Sequence, residues 1–294
     1  MAPPMKTPVL LDTDIGNDID DAVALAYLLR KPECELVGIT TVTGQASKRA
    51  ALCEVVCRAA GREDIPIHCG RELPILHGPG QPNPGQYETI VNLPHRMDWE
   101  ANTAVDFLRQ TIRSRPGEIT LLSIGPFANI ALLFALDPEI PFLLKDFVSM
   151  AGYFDPNAPF AEWNCRCDPT ATSMVYASDR PKHRSIGLDV TMQCQMSAEE
   201  VRNRFVGEPL ATVARLAEHW FKNAERLTFH DPLAAATIFH PKLCEYVHGR
   251  VVSPIEAEEP KTGWTVLTEG DGPDEVATSV NVEGFFEEFF SVFM

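Results

Sequence analysis

Hydrophobic positions in the first 60 residues alternate between two kinds of segment. The short apolar run at residues 8–11 predicts a strand, and the run at 22–29, which contains neither Gly nor Pro, predicts a helix. The β-branched segment 35–42 predicts a second strand, and residues 46–60, which Gly61 follows, predict a second helix. This β-α-β-α order is typical of a parallel sheet with helical crossovers.

The alternation continues to about residue 188 and then becomes mainly helical. Strands are predicted at 65–69, 119–123, 146–151 and 183–188, and helices at 102–115, 127–136 and 169–177, with an irregular segment at 152–168. Later helices are predicted at 198–206, 210–222, 233–239 and 284–293, and late strands, expected at a sheet edge, at 247–252, 264–267 and 276–282. The chain is therefore predicted to be an α/β protein with a single open, mostly parallel, Rossmann-like sheet, helices on both faces and a helical C-terminal portion. No repeat or low-complexity linker divides it, so residues 1–294 are expected to form one domain.

Composition and charge narrow the possible partners. Hydrophobic residues make up 45% of the chain and charged residues 22%, as in soluble globular proteins. The 41 Asp and Glu against 25 Lys and Arg give a net charge of −16, which would repel nucleic acid and anionic membranes. We expect neither as a partner. The chain has no transmembrane-length apolar stretch, and residues 1–6 lack the apolar run of a signal peptide, so a cytoplasmic location is expected.

The eight cysteines are predicted to be small buried residues in a reducing compartment, because no two of them form a Cys-x-x-Cys motif. Cys165 and Cys167 alternate, which would place both on one face of an extended segment. Redox sensitivity at this pair is the alternative.

Polar residues gather where the predicted strands end. The first strand runs into residues 12–21, which contain five carboxylates. Polar residues also follow the later strands, at 43–45, 157, 162–164 and 189. Ligands of open α/β sheets bind at the carboxyl ends of the strands, so these loops are expected to form one site.

Five carboxylates in one cleft would repel each other unless a cation compensates their charge. Oxygen ligands without His or Cys favour Ca²⁺ or Mg²⁺ over zinc. Helix capping would account for Asp20 and Asp21 only. The spacing is not that of an EF-hand, since the sixth position from Asp12 is Asn17 and not Gly.

Two other functions fit a strand that ends in Asp-x-Asp. Haloacid dehalogenase-like phosphatases begin in this way, but they would need a well-placed Lys and a later acidic pair, of which the sequence offers no convincing set. A non-catalytic, metal-dependent ribose- or nucleoside-binding protein is the second alternative.

Five motifs resemble the inosine-uridine preferring nucleoside hydrolase family. They are residues 11–16 with 20–22 (Leu-Asp-Thr-Asp-Ile-Gly and Asp-Asp-Ala), 123–131, 161–164 (Ala-Glu-Trp-Asn), 187–191 and 230–232 (His-Asp-Pro), in family order. The resemblance implies hydrolysis of the N-glycosidic bond of ribonucleosides to ribose and free nucleobase, with one bound Ca²⁺ and a role in purine or pyrimidine salvage. It also implies a homo-oligomer, a dimer or a tetramer.

The resemblance further implies roles for particular residues. The metal ligands would be the carboxylates of Asp14, Asp21 and Asp231 and the backbone carbonyl of Ile124. The ribose would contact Asp20, Gln45, Asn157, Glu162 and Asn164. Asp14 would be the general base, and His230, which ordinarily titrates near neutrality, would be the acid for the leaving base. His77 and Phe229 are candidates for the base pocket.

Two departures from the family pattern affect this assignment. The loop between Gly16 and Asp20 is two residues longer than usual, which leaves open whether Asp18 or Asp20 meets the ribose. Gln45 stands where the family usually has Asn. Neither purine nor pyrimidine preference follows from the sequence.

Overall fold

Nine strands form one open sheet in the computed structural model, which describes residues 6–255 and 262–294, and two further strands form a separate antiparallel pair. In chain order the strands are β1 (Thr7–Thr13), β2 (Cys34–Thr41), β3 (Ile67–Cys69), β4 (Thr120–Ser123), β5 (Asp146–Ser149), β6 (His183–Ser185), β7 (Gln195–Ser197), β8 (Arg226–Thr228), β9 (Cys244–Val252), β10 (Val266–Glu269) and β11 (Asp274–Val280). The α-helices are α1 (Asp20–Arg30), α2 (Ala46–Ala59), α3 (Ala104–Ser114), α4 (Ala128–Leu136), α5 (Ile140–Leu143), α6 (Trp163–Cys167), α7 (Pro169–Ala177), α8 (Leu188–Thr191), α9 (Ala198–Arg204), α10 (Leu210–Trp220), α11 (His230–Phe239) and α12 (Val282–Ser291).

The strand order of the large sheet, β10-β9-β11-β6-β5-β4-β1-β2-β3, determines where a ligand can bind. All pairs from β3 to β11 are parallel, whereas β9 pairs antiparallel with β11 and β10. The chain order reverses at β1, because β2 lies on one side of it and β4 on the other. Ligands bind in the crevice at such a reversal, at the carboxyl ends of the strands.

Strand β1 is buried on both faces. Val9 and Leu11 pack into one hydrophobic cluster and Leu10 into another, since successive side chains of a strand point to opposite faces. Helices α1, α2, α10, α11 and α12 contribute to the first cluster, and α3, α4 and α7 to the second. Helices thus cover both faces, which confirms the predicted α/β fold with an open, mostly parallel sheet.

Several local predictions are wrong. Strand β11 lies inside the sheet, because it pairs in parallel with β6 and leaves β9 and β10 towards the edge. The segment predicted to be irregular contains α6, and Leu188 begins α8 and does not end a strand. All eight cysteines are free and buried, but Cys165 and Cys167 lie in α6 and therefore do not share the face of an extended segment.

Within residues 6–255 and 262–294, no helix is both long and apolar enough to cross a membrane. The expectation that no signal peptide is present rests on residues 1–6, of which 1–5 lie outside the described residues. The expectation of one domain over residues 1–294 stays a prediction.

Candidate functional site

A cavity of about 240 Å³ lies where the loops after β1 and β4 meet. The cavity is strongly acidic, since six carboxylates line it: Asp14, Asp18, Asp20, Asp21, Glu162 and Asp231. The loop after β1 and the first turn of α1 supply the first four, while Glu162 precedes α6 and Asp231 is the second residue of α11. Segments far apart in the sequence therefore build one acidic cavity.

Three of these carboxylates form a close group. One oxygen from each of Asp20, Asp21 and Asp231 lies within 4.8 Å of the others, and all three residues are buried. Helices α1 and α11 begin here, so the positive ends of two helix dipoles lie beside the carboxylates. The resemblance assigned Asp20 to the ribose, but its position beside Asp21 and Asp231 also suits a metal ligand.

The electrostatics of this group require a positive charge. Burial raises the pKa of Asp20, Asp21 and Asp231 well above the ordinary value, and neighbouring aspartates raise it further. Burial also raises the pKa of Asp14 to about 6 and that of Asp18 to about 7. Carboxyl groups with such raised pKa values stay partly protonated at neutral pH unless a cation lies beside them. Because every donor is an oxygen, the residues fit a hard divalent cation.

Arg49 places one positive charge beneath the acidic loop. Its side chain is 0% exposed and donates to the backbone carbonyls of Asp14, Ile15, Thr43, Gly44 and Gln81. The guanidinium lowers the pKa of Asp14 against the larger effect of burial. One arginine does not balance six carboxylates, so the cavity still favours a bound cation.

Glu162 and Asn164 reach the cavity from the start of α6. The carboxylate of Glu162 accepts backbone N–H groups from Asn164 at 2.7 Å, Cys165 at 3.0 Å and Gly152 at 3.3 Å. The Nδ2 of Asn164 donates to the carbonyl oxygen of Ile124 at 2.9 Å. That carbonyl, predicted to be a metal ligand, has a second lone pair for a further contact.

His230 lies at the cavity as the first residue of α11. Its Nδ1 and the hydroxyl of Thr191 share a hydrogen bond of 2.7 Å, which leaves Nε2 for another partner. Burial lowers the pKa of His230 to about 4. The ring is therefore neutral at pH 7, in contrast to the near-neutral titration expected of an ordinary histidine.

Two predicted ribose contacts lie away from the cavity lining. Gln45 donates to the carbonyl of Pro82 and to the side chain of Asn83, both at 2.9 Å, so its amide is used to hold a loop. Asn157 is exposed, and its backbone N–H donates to Asp155.

Neither residue predicted for the base pocket lines the cavity. Phe229 is 0% exposed and packs against Phe205, Phe285 and Phe289 in the core. His77 is exposed on the loop that follows β3. Aromatic surface at the cavity comes from Phe160 and Trp163, which are 48% and 49% exposed.

Arg49 and Gln81 lie at the site but were not predicted from the sequence. Gln81 lines the cavity from a Pro- and Gly-rich loop, and its Nε2 donates to Oδ2 of Asp14 at 2.6 Å. Nothing in the local pattern indicates this contact, which joins residues 67 positions apart. Arg49 had a weak signal, since a charged residue stands beside Ala46 and Ala50 on the buried face of a predicted helix.

The longer first loop is held by the segment around Gln86. This side chain is 0% exposed, and its Nε2 donates to the carbonyls of Asn17 and Asp18 at 3.0 and 2.8 Å. The backbone N–H of Gly85 donates to the side chain of Asn17 at 3.1 Å. Asp18 and Asp20 both line the cavity. The two extra residues of the loop therefore leave both carboxylates accessible to a bound ligand.

Comparisons with known proteins cover most of the chain. The family model described as inosine-uridine preferring nucleoside hydrolase matches residues 9–287. The pyrimidine-specific ribonucleoside hydrolase RihA of Salmonella paratyphi C is 32% identical over an alignment of 267 residues, with coverage of 81% of this chain and 81% of its own. Uridine nucleosidase 1 of Arabidopsis thaliana is 27% identical over 95% of this chain and 90% of its own. The fold is similar to that of a purine-preferring ribonucleoside hydrolase from Gardnerella vaginalis, with a TM-score of 0.83, 24% identity and coverage of 97% of both chains.

Proposed function

This chain belongs to the inosine-uridine preferring nucleoside hydrolase family, and from that premise we propose that its acidic cavity uses one Ca²⁺ to hydrolyse ribonucleosides. The protein is a nucleoside hydrolase, an N-glycosidase that cleaves ribonucleosides. The phosphatase and the non-catalytic binding protein are therefore set aside.

The buried group of Asp20, Asp21 and Asp231 is the observation that carries the calcium proposal. We assign the metal to Asp21 and Asp231, together with Asp14 and the carbonyl of Ile124. Ca²⁺ accepts about 6–8 oxygen ligands, so these groups leave positions for a ribose diol and a water. When bound, the cation supplies charge stabilisation and a water of lowered pKa.

The remaining steps belong to the side chains. Asp14 takes a proton from the attacking water, whose oxygen forms a bond to C1′ of the ribose. The C1′–N bond breaks, its electron pair leaves with the nucleobase, and the departing base takes up a proton, which balances the proton that Asp14 has taken from water. Asp20, Glu162 and Asn164 bind ribose hydroxyls, and the surrounding carboxylates stabilise the oxocarbenium-like transition state.

His230 is proposed to stabilise the leaving base. Its Nδ1 is engaged by Thr191, so Nε2 is the atom available to a nucleobase nitrogen. With Thr191 as the donor to Nδ1, the neutral ring carries its proton on Nε2 and donates a hydrogen bond. Negative charge that develops on the leaving base strengthens this bond.

Product analysis tests the proposed reaction. Wild-type protein is incubated with inosine or uridine in the presence of Ca²⁺, with and without added phosphate, and the products are separated by chromatography. Equal amounts of free base and ribose, unaffected by phosphate, are expected of a hydrolase. No base release, or ribose phosphate formed when phosphate is added, would contradict the proposal. Asp231→Asn is the matched inactive variant.

Three further expectations rest on the resemblance or on indirect support. We propose a homodimer or homotetramer, to be measured by light scattering during gel filtration. We propose a cytoplasmic location, which the eight free, buried cysteines support. We also propose a role in nucleoside salvage.

A further inference from the structure

Gln81 joins the two sides of the cavity through a pair of hydrogen bonds. The indole Nε1–H of Trp163, on α6, donates to Oε1 of Gln81 at 2.5 Å. Nε2 of Gln81 donates to Oδ2 of Asp14, in the loop after β1, at 2.6 Å. A single amide thus connects an aromatic side chain at the cavity surface to a buried carboxylate.

The orientation of this amide is determined by its partners. An indole nitrogen is only a donor, so the amide oxygen must face Trp163. The amide nitrogen then faces Asp14, whose ionised carboxylate is only an acceptor. Reversing the amide would oppose two donors at one end and two acceptors at the other, so only one orientation satisfies both partners.

The backbone of Gln81 is held as firmly as its side chain. Its N–H donates to Oγ1 of Thr43 at 2.9 Å, and its carbonyl accepts from Nη2 of the buried Arg49 at 2.5 Å. Gln81 itself is 7% exposed. The amide is therefore a fixed link and not a mobile surface group.

Trp163 lies in the lining of the cavity. It lies between Glu162 and Asn164, both of which line the cavity and are held by backbone hydrogen bonds. Its half-exposed side chain lines the same cavity, beside these two residues proposed to bind ribose. Their hydrogen bond connects the indole at the cavity to Gln81.

We propose that Gln81 is a positioning residue, which orients the carboxylate of Asp14 and couples that orientation to the seating of substrate against Trp163. This inference rests on the proposed role of Asp14 as general base. A bond to Oδ2 restricts rotation of the carboxylate plane and so determines where the second oxygen points. Catalysis is sensitive to such placement, since an error of about 1 Å costs about 100-fold in rate.

Gln81→Met tests the link from the side of the amide, because Met has a similar length but cannot replace either hydrogen bond. We expect kcat to fall about 10- to 100-fold, as for loss of a hydrogen bond to a charged group, with KM changed less than about threefold. Wild-type kcat in Gln81→Met would overturn the proposal. Circular dichroism and calcium calorimetry check that the fold and the metal affinity are kept.

Trp163→Phe tests the link from the other side and does not depend on the folding of Gln81→Met. It keeps an aromatic ring at the cavity but removes the indole N–H together with part of the ring surface, so we expect kcat to fall about 3- to 10-fold, with a smaller change in KM. Trp99→Phe is the matched control, because Trp99 also loses an indole hydrogen bond, to the carbonyl of Arg96 at 3.1 Å. Equal kcat values for Trp163→Phe and Trp99→Phe would overturn the coupling.

A double-mutant cycle and an NMR signature complete the test. Gln81→Met with Trp163→Phe should lose no more activity than Gln81→Met alone, whereas losses that multiply would refute a shared path. In ¹⁵N-tryptophan-labelled protein, the indole resonance that disappears in Trp163→Phe should shift in Gln81→Met, and an unmoved resonance would contradict the bond. Wild-type protein without chelator-sensitive ribose release would refute the proposed function itself, while active wild type with unaffected variants refutes only the role of Gln81.

Discussion

The backbone N–H of Asp231 donates to Oδ2 of Asp20 at 3.2 Å, which joins the first turns of α11 and α1 across 211 residues of sequence. This contact brings the late His-Asp-Pro segment to the acidic loop after β1. The result is a buried group of carboxylates with two helix N-termini beside it. Metal binding and water activation are proposed to occur here.

Asp231→Asn should weaken calcium binding by at least about 100-fold, since loss of a ligand exceeds the 10- to 100-fold effect of losing a supporting contact. The substitution keeps the shape of the side chain and removes its charge. Calorimetric titration with Ca²⁺ measures the effect, with the exposed Asp98→Asn as control. Equal affinities in the two variants would remove Asp231 from the metal site.

Asp14→Asn should lower kcat by about 10²- to 10⁴-fold, the usual contribution of a general base. The amide keeps the size of the side chain but cannot accept a proton from water. Turnover of inosine and uridine at saturating Ca²⁺ measures the loss. A folded Asp14→Asn protein that turns over at the wild-type rate would show that another group is the base.

The loss of turnover in His230→Ala should depend on the leaving group of the substrate. A nucleoside with a poor leaving base needs the donor at Nε2, whereas nitrophenyl riboside carries a leaving group that departs unaided. We therefore expect a loss of about 100-fold or more on inosine and a much smaller loss on the nitrophenyl substrate. The same loss on both substrates would be incompatible with a leaving-group role.

Acid should destabilise the fold through His183, which lies away from the cavity lining. This ring is 0% exposed, and burial lowers its pKa from 6.5 to about 4. The unfolded chain therefore takes up a proton below pH 6.5 that the folded protein does not take up until about pH 4, so stability falls as the pH is lowered between these values. At pH 5 the difference corresponds to about 2 kcal/mol.

His183→Gln provides the comparison for this pH effect. Urea unfolding of both proteins at pH 7 and pH 5 isolates the histidine, because the carboxylates titrate in both. The wild type should lose about 2 kcal/mol more than the variant on acidification. Parallel losses would show that His183 does not contribute to the pH dependence.

The sequence was sufficient to predict those elements that residues close together in the chain determine. Helix α7 was predicted at its observed bounds, because a Pro at its first turn and a short apolar segment determine it. The acidic loop after β1 was predicted as a ligand site, because the ends of parallel strands share one edge. The position of β11 was not predictable in the same way, since it depends on pairing with β6 about 90 residues earlier.

Side-chain contacts between distant segments also escaped prediction. The bond from Gln81 to Asp14 arises only after a Pro- and Gly-rich loop packs over the acidic loop. Phe229 was predicted near the base because it adjoins His230, but α12 supplies a cluster of phenylalanines that buries it in the core. Phe229 and His230 are adjacent in sequence but lie in different environments, the core and the cavity.

Calcium-dependent hydrolysis of ribonucleosides in the acidic cavity is tested most directly by removing and restoring the metal. Reducing-sugar release is measured from inosine, uridine, cytidine, adenosine and nitrophenyl riboside, before chelation, after chelation and after Ca²⁺ is restored. If hydrolysis depends on calcium, ribose release disappears with the chelator and returns with Ca²⁺. Ribose release that persists at full rate in thoroughly chelated protein, or no release from any riboside by folded, calcium-loaded protein, would contradict it.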